Sequence, residues 1–99
     1  MLTKEDIIST IKIHKPEFTK LGVKDIGLFG SFARTQQSGQ SDIDILIDFI
    51  DPSKENFDNF MAVCDMFEHI FKNIKIDIVT KNGLSPHIGP QILKETLFV

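Results

Sequence analysis

Two hydrophobic rhythms run along this chain. In "DIDILIDF", Ile43, Ile45, Ile47 and Phe49 fall on one side, and Asp42, Asp44, Leu46 and Asp48 fall on the other. A period of two predicts a strand with one core face and one acid-bearing face. "IKIDIV" repeats the pattern, with Ile74, Ile76 and Ile78 set against Lys75, Asp77 and Val79. "VKDIGLF", Val23 to Phe29, is a shorter strand that runs into a Gly30-Ser31 turn. Elsewhere the period is helical. Phe57, Phe60, Met61, Cys64 and Phe67 form one apolar stripe between Asn56 and Phe71. Thr3, followed by Glu5 and Asp6, opens a first helix whose Ile7, Ile8, Ile11 face runs to about His14. Pro16 opens a second helical turn, "PEFTKLG", that Gly22 stops. "SFAR" predicts a helical turn with Ser31 as its N-cap, and "TQQSGQS" a polar loop. Ser85-Pro86 admits a last helix, delayed by Gly89-Pro90, that "QILKETLF" completes. The order is that of a small α/β domain, with helices against one sheet of three strong strands.

Composition narrows the class. Ninety-nine residues with 41% hydrophobic and 25% charged side chains fit one globular domain, residues 1–99. A net charge of -3 gives no electrostatic basis for direct nucleic-acid binding. No apolar run reaches membrane-span length, and "MLTKEDIIST" lacks a signal-peptide core, so a cytoplasmic setting is expected. The single cysteine, Cys64, lies in the apolar stripe and reads as a core thiol. His14, His69 and His87 are scattered without metal-ligand spacing.

The chemistry concentrates on the acid face. Asp42 and Asp44 stand two residues apart, roughly 6–7 Å along a strand that rises about 3.3 Å per residue. Asp77 is the matching acid of the other alternating strand, and if the two strands are neighbours three carboxylates converge. Such a cluster repels itself unless a hard divalent cation sits within it. Two Mg²⁺ ions about 3.5–4 Å apart clamp the attacking and leaving oxygens of a phosphoryl displacement. Gly30-Ser31 supplies a complementary feature, a strand-to-helix turn whose backbone N–H groups suit a phosphate. Taken singly, a Gly-Ser pair is usually a turn and an Asp-x-Asp usually solvated surface. Their order and alternation are what carry the reading.

"GSFARTQQSGQSDIDILI" resembles the signature of the nucleotidyltransferase superfamily, Gly-Ser-x-Ala-Arg-Gly, a short loop, then Ser-Asp-x-Asp. The whole chain, from "HKPEFTKLGV" through "KIDIVT" to "ILKETLFV", is similar to the minimal nucleotidyltransferases (MNT proteins), which are polymerase-beta-like. The resemblance implies a small mixed β-sheet flanked by helices, an α+β nucleotidyltransferase fold. It implies transfer of a nucleoside monophosphate, AMP from ATP, with release of pyrophosphate. Carried onto this sequence, Gly30 and Ser31 hold the triphosphate, with Arg34, Ser41 and Lys75 as further nucleotide-binding candidates. Asp42 and Asp44 hold Mg²⁺, and Asp77 is the third carboxylate, which helps deprotonate the acceptor hydroxyl. Arg34 serves equally as a phosphate ligand or as a brace for an acid. Asp48 reads as surface. Thr35 replaces the family's Gly; if that position needs positive φ a β-branched residue is strained there, and Gly39 is then expected to take the sharp turn.

Many members act as the antitoxin of a HEPN-domain toxin, and some adenylylate it. With no acceptor domain in so short a chain, a partner protein is expected to supply the acceptor. Nine Phe without Trp or Tyr leave enough apolar surface for a partner-facing patch or self-association. The alternatives are an antitoxin that blocks its toxin by contact alone and a transferase for a small, aminoglycoside-like molecule.

Overall fold

The computed structural model describes residues 2–99. In chain order it contains α1 (Lys4–Lys20), β1 (Val23–Phe29), α2 (Gly30–Ala33), β2 (Ile43–Phe49), α3 (Phe57–Ile70), β3 (Ile76–Thr80), a 3-10 turn (Lys81–Gly83), α4 (Gly89–Glu95) and β4 (Leu97–Phe98). The sheet has four strands in the order β3-β2-β1-β4. β1 is antiparallel to both β2 and β4, and β2 is parallel to β3. The sheet is therefore mixed.

Alternation builds the core on one face. Ile43, Ile45 and Ile47 of β2 and Ile26 and Leu28 of β1 are fully buried, and they join Ile7, Ile11 and Phe18 of α1 and Val63 and Phe67 of α3. Phe18 and Phe67 stack with ring centroids 4.6 Å apart, which ties the two helices to each other over the sheet. Capping sets where the helices begin. Thr3 Oγ1 accepts from Asp6 N while the Asp6 carboxylate accepts from Thr3 N, a reciprocal capping box. Asn56 caps α3 by accepting from Asn59 N at 2.9 Å.

Several boundaries differ from the sequence reading. α1 does not end near His14 but runs through Pro16 to Lys20. Pro16 cannot donate to the Lys12 carbonyl, but Pro16 and Lys12 both face solvent, where water can satisfy that carbonyl. Phe18, two residues on, is fully buried and holds the helix together from its other side. Gly22, at φ +87, then ends it. The last helix stops at Glu95, and Leu97–Phe98 forms a fourth strand in place of a final helical turn. His87 precedes α4. Phe57, expected in the core, is 76% exposed at the start of α3. Leu46, assigned to the acid face, is on that face yet only 1% exposed.

Phe67→Ala removes the ring on which both helices meet, and is expected to cost about 3–5 kcal/mol. In a domain of this size that is a large share of total stability. Urea unfolding of the two proteins measures it; a loss under 1 kcal/mol would mean that the α1–α3 contact is not central.

Candidate active site

The site begins at the end of β1. Gly30 has φ +75, a conformation that L side chains resist. It also leaves no room for one: a Cβ there would meet the Asp44 carboxylate and lie 2.8 Å from its Cγ. The strand pairing explains the proximity, since Phe29 is the cross-strand partner of Asp44. Sheet register and an absent side chain together seat Asp44 against the start of α2.

α2 is a single turn. Its N-cap is Phe29, not Ser31, and no side chain caps it. Ser31 lies inside the turn because Gly30 already adopts the bend that opens the helix. The uncapped first N–H groups are donors that an anion can satisfy. The turn closes by a Schellman motif. Thr35 N donates to Phe32 O at 3.1 Å, and Gln36 N donates to Ser31 O at 2.8 Å. The left-handed residue of that motif is Thr35, at φ 56. Gly39 does not take the sharp turn; positive φ among the glycines is confined to Gly22 and Gly30. A motif that favours Gly is here built on a β-branched residue and carries the strain.

On the acid face, the parallel register puts Asp44 of β2 directly beside Asp77 of β3. Asp42 precedes β2 on the same side. Its Oδ2 lies 3.8 Å from the Nζ of Lys75, whose carbonyl accepts from Ile43 N at 3.0 Å. Asp44 is half-buried and Asp77 exposed. Burial pushes the Asp44 carboxyl above the usual carboxylate range, and the charges of Asp77 and then Asp42 push it further. Arg34 pulls it down, and Glu95 raises it again. Asp44 is thus the acid on which the cluster's electrostatic cost falls. Among the described residues no three His, Cys, Asp or Glu side chains are gathered into a ready cation cage. Asp42 leans instead toward the Lys75 ammonium.

The other candidates divide. Arg34 acts as a brace: its Nη1 donates to Glu95 Oε1 at 3.1 Å and Oε2 at 3.3 Å, and its Nε donates to Gln36 Oε1 at 3.0 Å. Ser41 closes the polar loop, its Oγ accepting from Ser38 N at 2.8 Å. Ser38, Gly39, Ser41, Asp42 and Lys75 line a cleft of about 440 Å³. Asp44, Asp77 and Gly30 lie outside that cleft, so it adjoins the acids only through Asp42 and Lys75. Asp48 pairs across the sheet with Asp25, two strand positions beyond Asp44. Glu95 was not singled out by the sequence; the only available signal was an acid in the last turn of a helix, where the dipole disfavours it.

A mixed sheet that sets a Gly-Ser turn against paired strand carboxylates is the framework of an enzyme that transfers nucleotidyl groups. The chain belongs to the polymerase beta nucleotidyltransferase family, whose sequence profile matches residues 5–99. A protein adenylyltransferase, MntA, of Thermococcus cleftensis is 33% identical over 102 residues, covering 100% of this chain and 98% of the relative. A minimal nucleotidyltransferase of known structure superposes with a TM-score of 0.80 at 23% identity, covering 97% of this chain and 95% of the other. A toxin–antitoxin crystal structure with AMP-PNP matches with a TM-score of 0.66 at 21% identity, over 98% of this chain and 72% of the other. Among the described residues no helix is long and apolar enough to cross a membrane.

Two stability measurements test this geometry. Thr35→Gly relieves a left-handed β-branched residue, at the expense of a more flexible unfolded chain, and is expected to stabilise by about 0.5–1 kcal/mol. That corresponds to a few degrees in melting temperature. Asp44 ionises less readily folded than unfolded, so it destabilises the fold as pH rises from the ordinary carboxylate value through its own raised one. Asp44→Asn lacks this penalty, so its stability advantage over the metal-free wild type is expected to grow across that window and then level off. The lowered carboxyls of Asp6 and Asp51 act in the opposite sense, but equally in both proteins, and cancel in the difference. A difference independent of pH would mean that Asp44 does not bear the cluster's repulsion.

Proposed function

We propose that this protein transfers AMP from ATP to a hydroxyl side chain of a partner protein, with Mg²⁺, and that the partner is a HEPN-domain toxin which it restrains as antitoxin. The observation that carries the chemistry is the level pairing of Asp44 with Asp77 beside the Gly30-Ser31 turn. The adenylyltransferase name of a relative aligned end to end supports the group transferred. The toxin–antitoxin assembly with AMP-PNP supports both the partner class and the nucleotide.

Each residue then has a distinct role. The uncapped N–H groups after Gly30, with the Ser31 hydroxyl, hold the triphosphate. Asp42, Asp44 and Asp77 would hold Mg²⁺. Their hard oxygen donors, and the charge repulsion concentrated on Asp44, fit a divalent cation. When bound, such an ion neutralises phosphate charge and orients the reacting oxygens. Asp77, exposed on the edge strand, is where the acceptor arrives. One carboxylate oxygen of Asp77 takes the acceptor's hydroxyl proton. The freed oxygen bonds to the α-phosphorus, and the bond from that phosphorus to the bridging oxygen breaks. Pyrophosphate leaves with that electron pair.

Incubating the protein with its toxin, Mg²⁺ and α-labelled ATP is expected to label the toxin. Asp44→Asn should lower labelling more than about 100-fold. Ser31→Ala should weaken ATP binding by roughly 0.5–1.5 kcal/mol. Gly30→Val should abolish transfer, because the new side chain displaces the Asp44 carboxylate. A complex that forms but takes up no label would make this an antitoxin that acts by contact alone.

A further inference from the structure

Residues distant in sequence meet beside Asp44. Arg34 ends α2, and Glu95 is the final residue of α4, 61 positions later. Glu95 takes Nη1 with both carboxylate oxygens, and Gln36 takes Nε. Among the described residues Nη2 has no hydrogen-bond partner. A fork gripped on two of its three nitrogens is fixed in direction, and its third nitrogen remains available.

Stability is a weak reason for this arrangement. The side chains are 46% and 27% exposed, and ion pairs this open contribute little to a fold. Glu95 also sits where the helix dipole repels an acid. Thr35 accepts a strained backbone, and that bend turns the chain so that Gln36 reaches back to Arg34. Two local costs converge on one guanidinium.

C-terminal pairing brings Glu95 to its place. Leu97 and Phe98 pair with Leu28 and Gly27, and Val99 N donates to Ile26 O at 2.8 Å. Gly27 has no side chain where Thr96 and Phe98 cross it. The strand that leads into the Gly30 turn therefore also anchors the segment that carries Glu95.

We propose that Glu95 is a positioning residue for the nucleotide: with Gln36 it orients the Arg34 fork so that Nη2 donates to the β- or γ-phosphate of a triphosphate held at the Gly30-Ser31 turn. The proposal rests on the nucleotide reading given above. A guanidinium already held in place loses less rotamer freedom on meeting phosphate than a free one, so the gain appears as affinity. The contact is to the β- or γ-phosphate, so it separates ATP from AMP.

Titration of Mg²⁺ with ATP, and with AMP, against wild type, Glu95→Ala, Glu95→Gln, Gln36→Ala, Arg34→Ala and the Arg34→Ala/Glu95→Ala double variant tests this. Ala favours the helix, so Glu95→Ala is expected to fold. It should weaken ATP binding about five- to tenfold and leave AMP binding unchanged. Glu95→Gln, which keeps an acceptor, should recover part of the loss. Gln36→Ala, in the exposed loop, should show a smaller loss of the same kind and serves if the α4 variants do not fold. In the double variant Glu95→Ala should add nothing to Arg34→Ala. Wild-type affinity in both Glu95→Ala and Gln36→Ala, tighter ATP binding by either, or equal losses for ATP and AMP would overturn the positioning role alone. Wild-type protein that binds no ATP would overturn the nucleotide reading and this proposal with it.

Discussion

The contact between Gly30 and the Asp44 carboxylate is the constraint on which the site depends. It joins the Gly30-Ser31 turn to the acid strand without any linking group. The turn requires a backbone at positive φ, and the strand requires space for a carboxylate, and one missing Cβ satisfies both. Because β1 and β2 are hydrogen-bonded neighbours, the distance is set by the sheet itself, about 4.8 Å between strands. Loop flexibility therefore has little influence on where Asp44 stands relative to the turn. A site whose parts must agree to a fraction of an ångström is better built on paired strands than on loops.

The acid-bearing face is costly to the fold. Asp44 is half-buried against Asp77 and Asp42, and Asp25 lies opposite Asp48 further along. Like charges directly across a sheet are unfavourable. The other face carries the compensating stability in buried Ile, Leu, Val and Phe of the sheet and both long helices. Leu46 tempers the conflict by burying an apolar residue between Asp44 and Asp48 on the acid face. Division of labour between two faces is what lets 99 residues hold both a core and a charged site.

Strand alternation was legible because it reflects a strict two-residue period, and it placed Asp44 and Asp77 on one face correctly. The Gly-Ser turn was legible because two requirements on Gly30 coincide. Pro16 was misread because helix continuation there depends on Phe18 meeting Phe67, a contact between residues far apart in sequence. The fourth strand was missed because two residues carry no periodicity; only pairing with β1 makes Leu97–Phe98 a strand. Gly39 was expected to take the sharp turn because a β-branched Thr35 resists positive φ. The left-handed position is instead dictated by where the single turn of α2 must close, and that falls on Thr35. Arg34 was ambiguous for a related reason: its partner Glu95 comes close only after the C-terminal segment has folded back over β1.

Topology decides how open each acid is. An antiparallel hairpin from β2 to β3 would have reversed the second strand. A parallel pair keeps the "IDI" of residues 43–45 in step with the "IDI" of residues 76–78, so that Asp44 and Asp77 are level. Parallel neighbours need a crossover, and α3 supplies it. The amphipathic stripe of α3 thus does more than complete the core, since it enables the register that pairs the acids. Placing β3 at the sheet edge, with nothing hydrogen-bonded beyond it, leaves Asp77 open while Asp44 stays half-covered. The half-buried acid faces the Gly30 turn, and the open acid faces solvent.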